Sequence, residues 1–261
     1  MLGKLLKNDL KKNMKWMWIL FVGTIVVAGI TRGCKELGEN IAFFKIMGIF
    51  FDSVFYALLV NTILHPFLRN FLNFSKSLYG DESYLTHTLP VTKNQIFNSK
   101  VLTAIIEIVL GFVSVVLSIA IMFGSPAFVP TVKMLLSMLV VGQVSVFWSL
   151  TLFVVLVIVE FLMYMSIIFF AITLAYKEKE KRVLRTFVIT AVLAFAAITV
   201  LGVAMIAVLL ISGVDISSST LILSSSAFVS VLITGIVMYI GVCVACYFLA
   251  KRELNKGVNV D

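Results

Sequence analysis

The sequence predicts an all-α integral membrane protein with six transmembrane helices, and three observations carry that prediction. Mean hydropathy is +1.10, with 61% hydrophobic and only 13% charged residues, a composition outside the range of ordinary soluble domains. Uninterrupted apolar runs reach the ~20 residues that a helix needs to cross a bilayer. In lipid the backbone must satisfy its own polar groups, and continuous apolar runs achieve this as helices. The runs fall near residues 16–31, 43–66, 101–123, 144–175, 187–211 and 226–250. We read residues 1–261 as a single polytopic domain.

The first fifteen residues carry their own pattern. Leu2, Leu5, Leu6, Leu10 and Met14 recur at helical spacing opposite Lys4, Lys7, Asn8, Lys11 and Lys15. This predicts an N-terminal amphipathic helix in the membrane interface, with an ordinary basic flank as the alternative. Trp16 and Trp18 follow where aromatic residues anchor a span at the headgroups. No small-x-small cleavage site follows the first run, so it is expected to stay as an uncleaved anchor.

Positive charge orients the remainder. Of the 21 Lys and Arg residues, seventeen lie in residues 1–15, 69–100 and 176–185 and in the tail from Lys251. The positive-inside rule puts these segments and both termini on the cytoplasmic side of a cell membrane. Residues 132–175 then must cross an odd number of times, and one crossing is the simplest solution. The surplus from Val132 to Ser145 reads as an interfacial or re-entrant helix on the outer surface, with Pro126 and Pro130 punctuating the turn before it. Ser212 to Ser226, rich in serine around Leu221 to Leu223, is either a short outer re-entrant element before the sixth span or a simple loop.

Three cysteines make no disulfide framework. Cys243 and Cys246 form a CxxC, but inside an apolar run and with His65 and His87 as the only histidines elsewhere, so small residues packing between helices is the better reading.

The most informative segment is polar. Residues 79–100 read YGDESYLTHTLPVTKNQIFNSK between the second and third spans. Tyr79, Gly80 and Asp81 mark a turn, and Asp81 to Leu85 could open a short helix. Pro90 has no N–H and biases Leu89 away from helix. Directly after it, Thr92 and Gln95 fit a capping box, with Val91 and Ile96 placed as a hydrophobic staple. A helix begun there continues through Lys100 into the third span.

This string, with the six spans and the basic N-terminal helix, resembles the permease subunits of ABC type-2 exporters. The resemblance covers the chain in topology but is confined mostly to Tyr79 through Lys100 at the level of residues. It implies a cytoplasmic coupling helix between spans 2 and 3, with Tyr79, Gly80, Asp81, Glu82, Tyr84, Leu85, Leu89 and Pro90 as positions that dock on and couple to an ATPase. The chain has no GxxxxGK[ST] phosphate loop, so the ATPase, with its ATP and Mg, is expected to be a separate polypeptide. Two ATPase copies and a second permease chain, identical or related, complete the implied complex. No cofactor is expected in this chain, no nucleic acid among its partners, and no enzymatic activity of its own. By analogy with small permeases of that family the implied cargo is amphipathic or hydrophobic, with a peptide as the best guess.

Asp52, Glu107 and Glu160 stand inside apolar runs, where a charge costs about 2.5–3.5 kcal/mol on insertion scales. Asp52 and Glu160 either line a pathway for cationic or amphipathic cargo or serve as protonated, snorkelling or helix-bridging groups. Glu107, about two turns from the inner boundary, is expected to respond to the coupling helix or to a nearby basic residue. Two other classes compete. A secondary transporter or channel would use the three carboxylates for ion coupling, although no internal repeat is visible. An intramembrane enzyme would need a nucleophile beside a base, and no such pair is recognisable.

Overall fold

A computed structural model of the chain describes residues 2–79, 91–124, 129–130, 132–134, 137, 140–141, 145–176, 181–214 and 223–256. Its elements in order are α1 (Leu2–Gly38), α2 (Ala42–Tyr79), α3 (Lys93–Phe123), β1 (Val140–Val141), α4 (Val146–Ala175), α5 (Arg182–Ile211), β2 (Leu223–Ser224) and α6 (Ser225–Asn255). All six helices are long and apolar enough to cross a membrane. The chain divides into two compact units: residues 1–77 with 88–128, and residues 78–87 with 129–261.

In the first unit, α1 runs unbroken for 37 residues, about 55 Å at the helical rise, against a hydrocarbon core of roughly 30 Å. Residues 2–15 therefore belong to the same helix as the apolar residues after Trp16. No proline interrupts them, so nothing local forces a bend. Likewise α2, 38 residues long, passes through Pro66 and continues well beyond the expected end of the second span. Proline in a helix interior removes one backbone bond, here the donor to the Thr62 carbonyl. Gly111 of α3 lies against that freed oxygen: a Cβ at this position would stand 3.4 Å from it. The Thr62 hydroxyl bonds that of Thr24 in α1 at 2.8 Å, and Ser114 Oγ of α3 donates to the Phe21 carbonyl at 3.0 Å. Small and hydroxylated residues thus let the three helices approach closely, the usual solution where lipid supplies no hydrophobic drive between helices. Farther along, Ala28, Phe55 and Met122 form a buried apolar cluster.

The second unit is built from α4, α5 and α6. Met163, Ile167 and Cys246 are buried together, with Leu193, Ala197, Tyr239 and Cys243 packed around them, so the two CxxC cysteines are packing groups here. At Gly235 of α6 an added Cβ would meet Leu156 Cδ1 at 2.7 Å and Met205 Cε at 3.0 Å. This glycine is where all three helices of the unit converge.

Of the expected interfacial or re-entrant helix from Val132 to Ser145, residues 132–134, 137, 140–141 and 145 lie among the described residues, and 140–141 are extended. Helical residues at 129–130, 132–134 and 137 give way to β1, which pairs in parallel with β2, Val140 opposite Leu223 and Val141 opposite Ser224. Two adjacent β-branched valines favour extended backbone, and the partner strand lies within the expected re-entrant segment. β2 leads directly into α6. Ser224 caps α6, its hydroxyl accepting from the Ala227 N–H at 3.2 Å. The rest of the expected re-entrant element, residues 215–222, lies outside the described residues.

Candidate functional site

The third helix begins where local chemistry says it should. Thr92 is the N-cap of α3 and forms a full capping box: its hydroxyl accepts from the Gln95 N–H at 3.3 Å, and Gln95 Oε1 accepts from the Thr92 N–H at 3.3 Å. Two of the four orphan N–H groups at a helix start are satisfied reciprocally in this way. From this cap a cluster of polar side chains extends along α3 and ties it to α1 and α2.

Asp9 of α1 is the centre of the first contact. It accepts from Ser99 Oγ at 2.7 Å and from Lys100 Nζ at 2.6 Å, and the Asp9 and Lys100 side chains are only 14% and 15% exposed. One turn farther along α1, the buried Asn13 accepts from Asn73 Nδ2 of α2. Asn70 Nδ2 donates to Glu107 Oε2 at 2.6 Å and to the Pro66 carbonyl at 2.9 Å. Arg69 Nη2 donates to the Lys12 carbonyl of α1 at 2.9 Å. Glu107 is completely buried. Its Oε1, Arg69 Nε and His65 Nε2 have no hydrogen-bond partner among the described residues.

Helical periodicity builds this cluster. Asp9 and Asn13 stand four apart on α1, Arg69 and Asn73 four apart on α2, and Ser99, Thr103 and Glu107 recur every four residues on α3, so each set occupies one face. Thr103 Oγ1 back-bonds to the Ser99 carbonyl at 2.9 Å, which adds a hydroxyl to the packed face without an unsatisfied group. The level of the cluster follows from α1. Glu107 shares it with Asn70 and lies near Asn13, which precedes Trp16, so the carboxylate sits level with the basic flank and away from the centre of the apolar run.

The other residues singled out from sequence fall as follows. Asp52 of α2 lies 2.9 Å from Lys35 Nζ of α1, an ion pair by distance though not by hydrogen-bond geometry, at the opposite end of the unit from Asp9. Glu160 of α4 belongs to the second unit and acts electrostatically on Tyr164 and on Tyr239 of α6. Tyr79, which groups with the second unit, packs on Tyr176 at the end of α4 with ring centroids 4.8 Å apart, and Arg182 lies 5.5 Å over the Tyr176 ring. Gly80, Asp81, Glu82, Tyr84, Leu85, Leu89 and Pro90 lie outside the described residues. Glu107 finds its direct partner in a neutral amide, Asn70, with a basic residue, Arg69, in the same cluster.

Sequence reasoning did not single out Asp9, Asn13, Asn70, Asn73, Ser99 or Lys100. A signal was present: Asp9 is the only acidic residue among the first fifteen, and Asn70 and Asn73 are carboxamides three residues apart on α2, costly to bury unless they meet partners.

Six helices of this length and composition place the chain in the class of α-helical membrane-spanning proteins. No protein-family model, no curated protein and no solved structure matches it.

Proposed function

We propose that the chain is the transmembrane permease subunit of an ATP-driven exporter, similar to the ABC type-2 permeases, and that a separate ATPase subunit drives it. The observation that carries this reading is the capped start of α3. A firm helix N-terminus directly after the YGDE-x-YL…TLP string is continuous with 31 residues of helix, so a push delivered at Thr92 travels along α3 as a rigid element. The Asp9 contacts to Ser99 and Lys100 pass the same displacement to α1. In this scheme Tyr79 to Pro90 meets the ATPase on the cytoplasmic side, both termini lie on that side, and two permease chains work with two ATPases. Cargo leaves the cell by alternating access. An amphipathic or hydrophobic molecule, with a peptide as best guess, suits a chain of this composition.

The test is assembly and coupled hydrolysis. The purified chain, reconstituted in lipid with the ATPase subunit encoded beside it, should form a stable complex, and Asp81→Ala, Glu82→Ala or Pro90→Ala should change the ATP hydrolysis rate of that complex. Absence of a complex, or hydrolysis indifferent to all three changes, would remove the exporter reading.

A further inference from the structure

We propose that the cleft where α1 turns into α2 binds the headgroup of an aminophospholipid, with its phosphate on Lys45 and its primary ammonium on Glu39. The site stands whether or not an ATPase drives the protein.

Periodicity builds the cleft. Lys35 and Gly38 stand three apart at the end of α1, with Glu39 directly after them, and Lys45, Gly48, Ile49 and Asp52 recur at helical spacing on one face of α2. The two stripes line a cleft of about 380 Å³, within the range of small-ligand sites. Glycine sets their separation. A Cβ at Gly38 would stand 3.0 Å from the Lys45 Cα and N, so the Lys45 backbone lies directly against the end of α1. A Cβ at Gly48 would meet Lys35 Cγ at 3.7 Å, so the Lys35 stem crosses that glycine.

The four charged groups of the cleft are not equivalent. Lys35 Nζ and Asp52 lie 2.9 Å apart and neutralise one another. Lys45 and Glu39 are both exposed, and neither forms an ion pair among the described residues. The cleft therefore offers one free cation and one free anion beside a neutral pair. A ligand that satisfies both must itself carry both signs. A simple anion would meet Glu39, and a simple cation Lys45, as a like charge.

The lining and its surroundings narrow the zwitterion further. Among the described residues none that lines the cleft is aromatic, so there is no cage for a quaternary ammonium, whereas a carboxylate bonds the N–H groups of a primary ammonium directly. Lysine, a compact point charge, suits phosphate. Leu37, Ile41, Phe43, Ile46, Ile49 and Phe50, in and around the cleft, are exposed, and exposed apolar side chains on membrane-spanning helices meet acyl chains. A molecule with phosphate and primary ammonium at one end and hydrocarbon at the other satisfies all of these groups together. A small polar zwitterion leaves the apolar margin unused.

Native mass spectrometry of the full chain in detergent, titrated with dioleoyl phosphatidylethanolamine, phosphatidylcholine or phosphatidylglycerol, tests the site. The first phosphatidylethanolamine should bind about tenfold more tightly than either other lipid, the effect of one charge-assisted hydrogen bond. Glu39→Gln combined with Lys45→Gln should abolish that preference, and both positions are exposed, so the fold should tolerate the change. Lys7→Gln combined with Lys11→Gln, exposed positions at the other end of α1, should leave the preference intact. Soluble phosphoethanolamine separates the two sources of this chemistry: displacement of the lipid only at large excess supports a bilayer headgroup, and displacement at equal concentration overturns the lipid assignment. Equal affinity of the unaltered chain for the three lipids, a preference that survives loss of Glu39 and Lys45, or one lost with Lys7 and Lys11 would overturn the proposal.

Discussion

The two units solve the same problem, packing three long helices in lipid, by different means. The first is cross-linked by polar side chains along its length, from Asp9 with Ser99 and Lys100, through Asn13 with Asn73 and Asn70 with Glu107, to Thr24 with Thr62 and Lys35 with Asp52. The second packs Met163, Ile167 and Cys246 around a close approach at Gly235 and starts α4 and α6 from a two-residue strand pair. Polar contacts constrain depth and rotation between helices, because hydrogen bonds are directional and short. Apolar contacts tolerate sliding and depend on volume. The unit that contains the capped start of α3 is the one whose helices are keyed to one another by polar contacts.

This contrast can be broken from either side. The largest effect is expected in the polar unit: Asn70→Leu removes the direct hydrogen bond to a fully buried carboxylate and should cost about 1.5–3 kcal/mol, the range for bonds to charged groups. Thermal unfolding of the purified protein followed by tryptophan fluorescence measures it, and an unchanged midpoint would show that Glu107 is not held as described. In the apolar unit volume is the sensitive quantity. Gly235→Leu drives a side chain into Leu156 and Met205 and should destabilise by about 1–3 kcal/mol, as overpacking does. Gly202→Leu on α5, where an added Cβ meets nothing within 4 Å, should leave the same midpoint unchanged, and equal loss in the two variants would count against the packing account. The smallest effect belongs to the cap. Thr92→Ala removes one side of the capping box and should cost about 1 kcal/mol, with amide exchange of the first turn of α3 rising while that of Asn70 and Asn73 on α2 stays constant.

Large parts of the molecule are legible in the sequence alone. The six apolar runs, their approximate bounds and the cap at Thr92 and Gln95 follow from properties read over a few residues: hydropathy, proline placement and hydrogen-bonding capacity. These act locally, so neighbours in sequence suffice to determine them. Pro66 shows the limit, since proline takes one N–H out of a helix, whereas α2 runs on to Tyr79 with Gly111 of α3 lying against the freed Thr62 oxygen. Val140 and Val141 show it again, for a strand pair exists only when Leu223 and Ser224 come alongside. Glu107 shows it most clearly. Its sequence neighbours mark it as an expensive carboxylate in an apolar run. Only the rotation and relative depth of α1, α2 and α3, which no local rule specifies, decide that Asn70 answers it and Arg69, facing Lys12, does not.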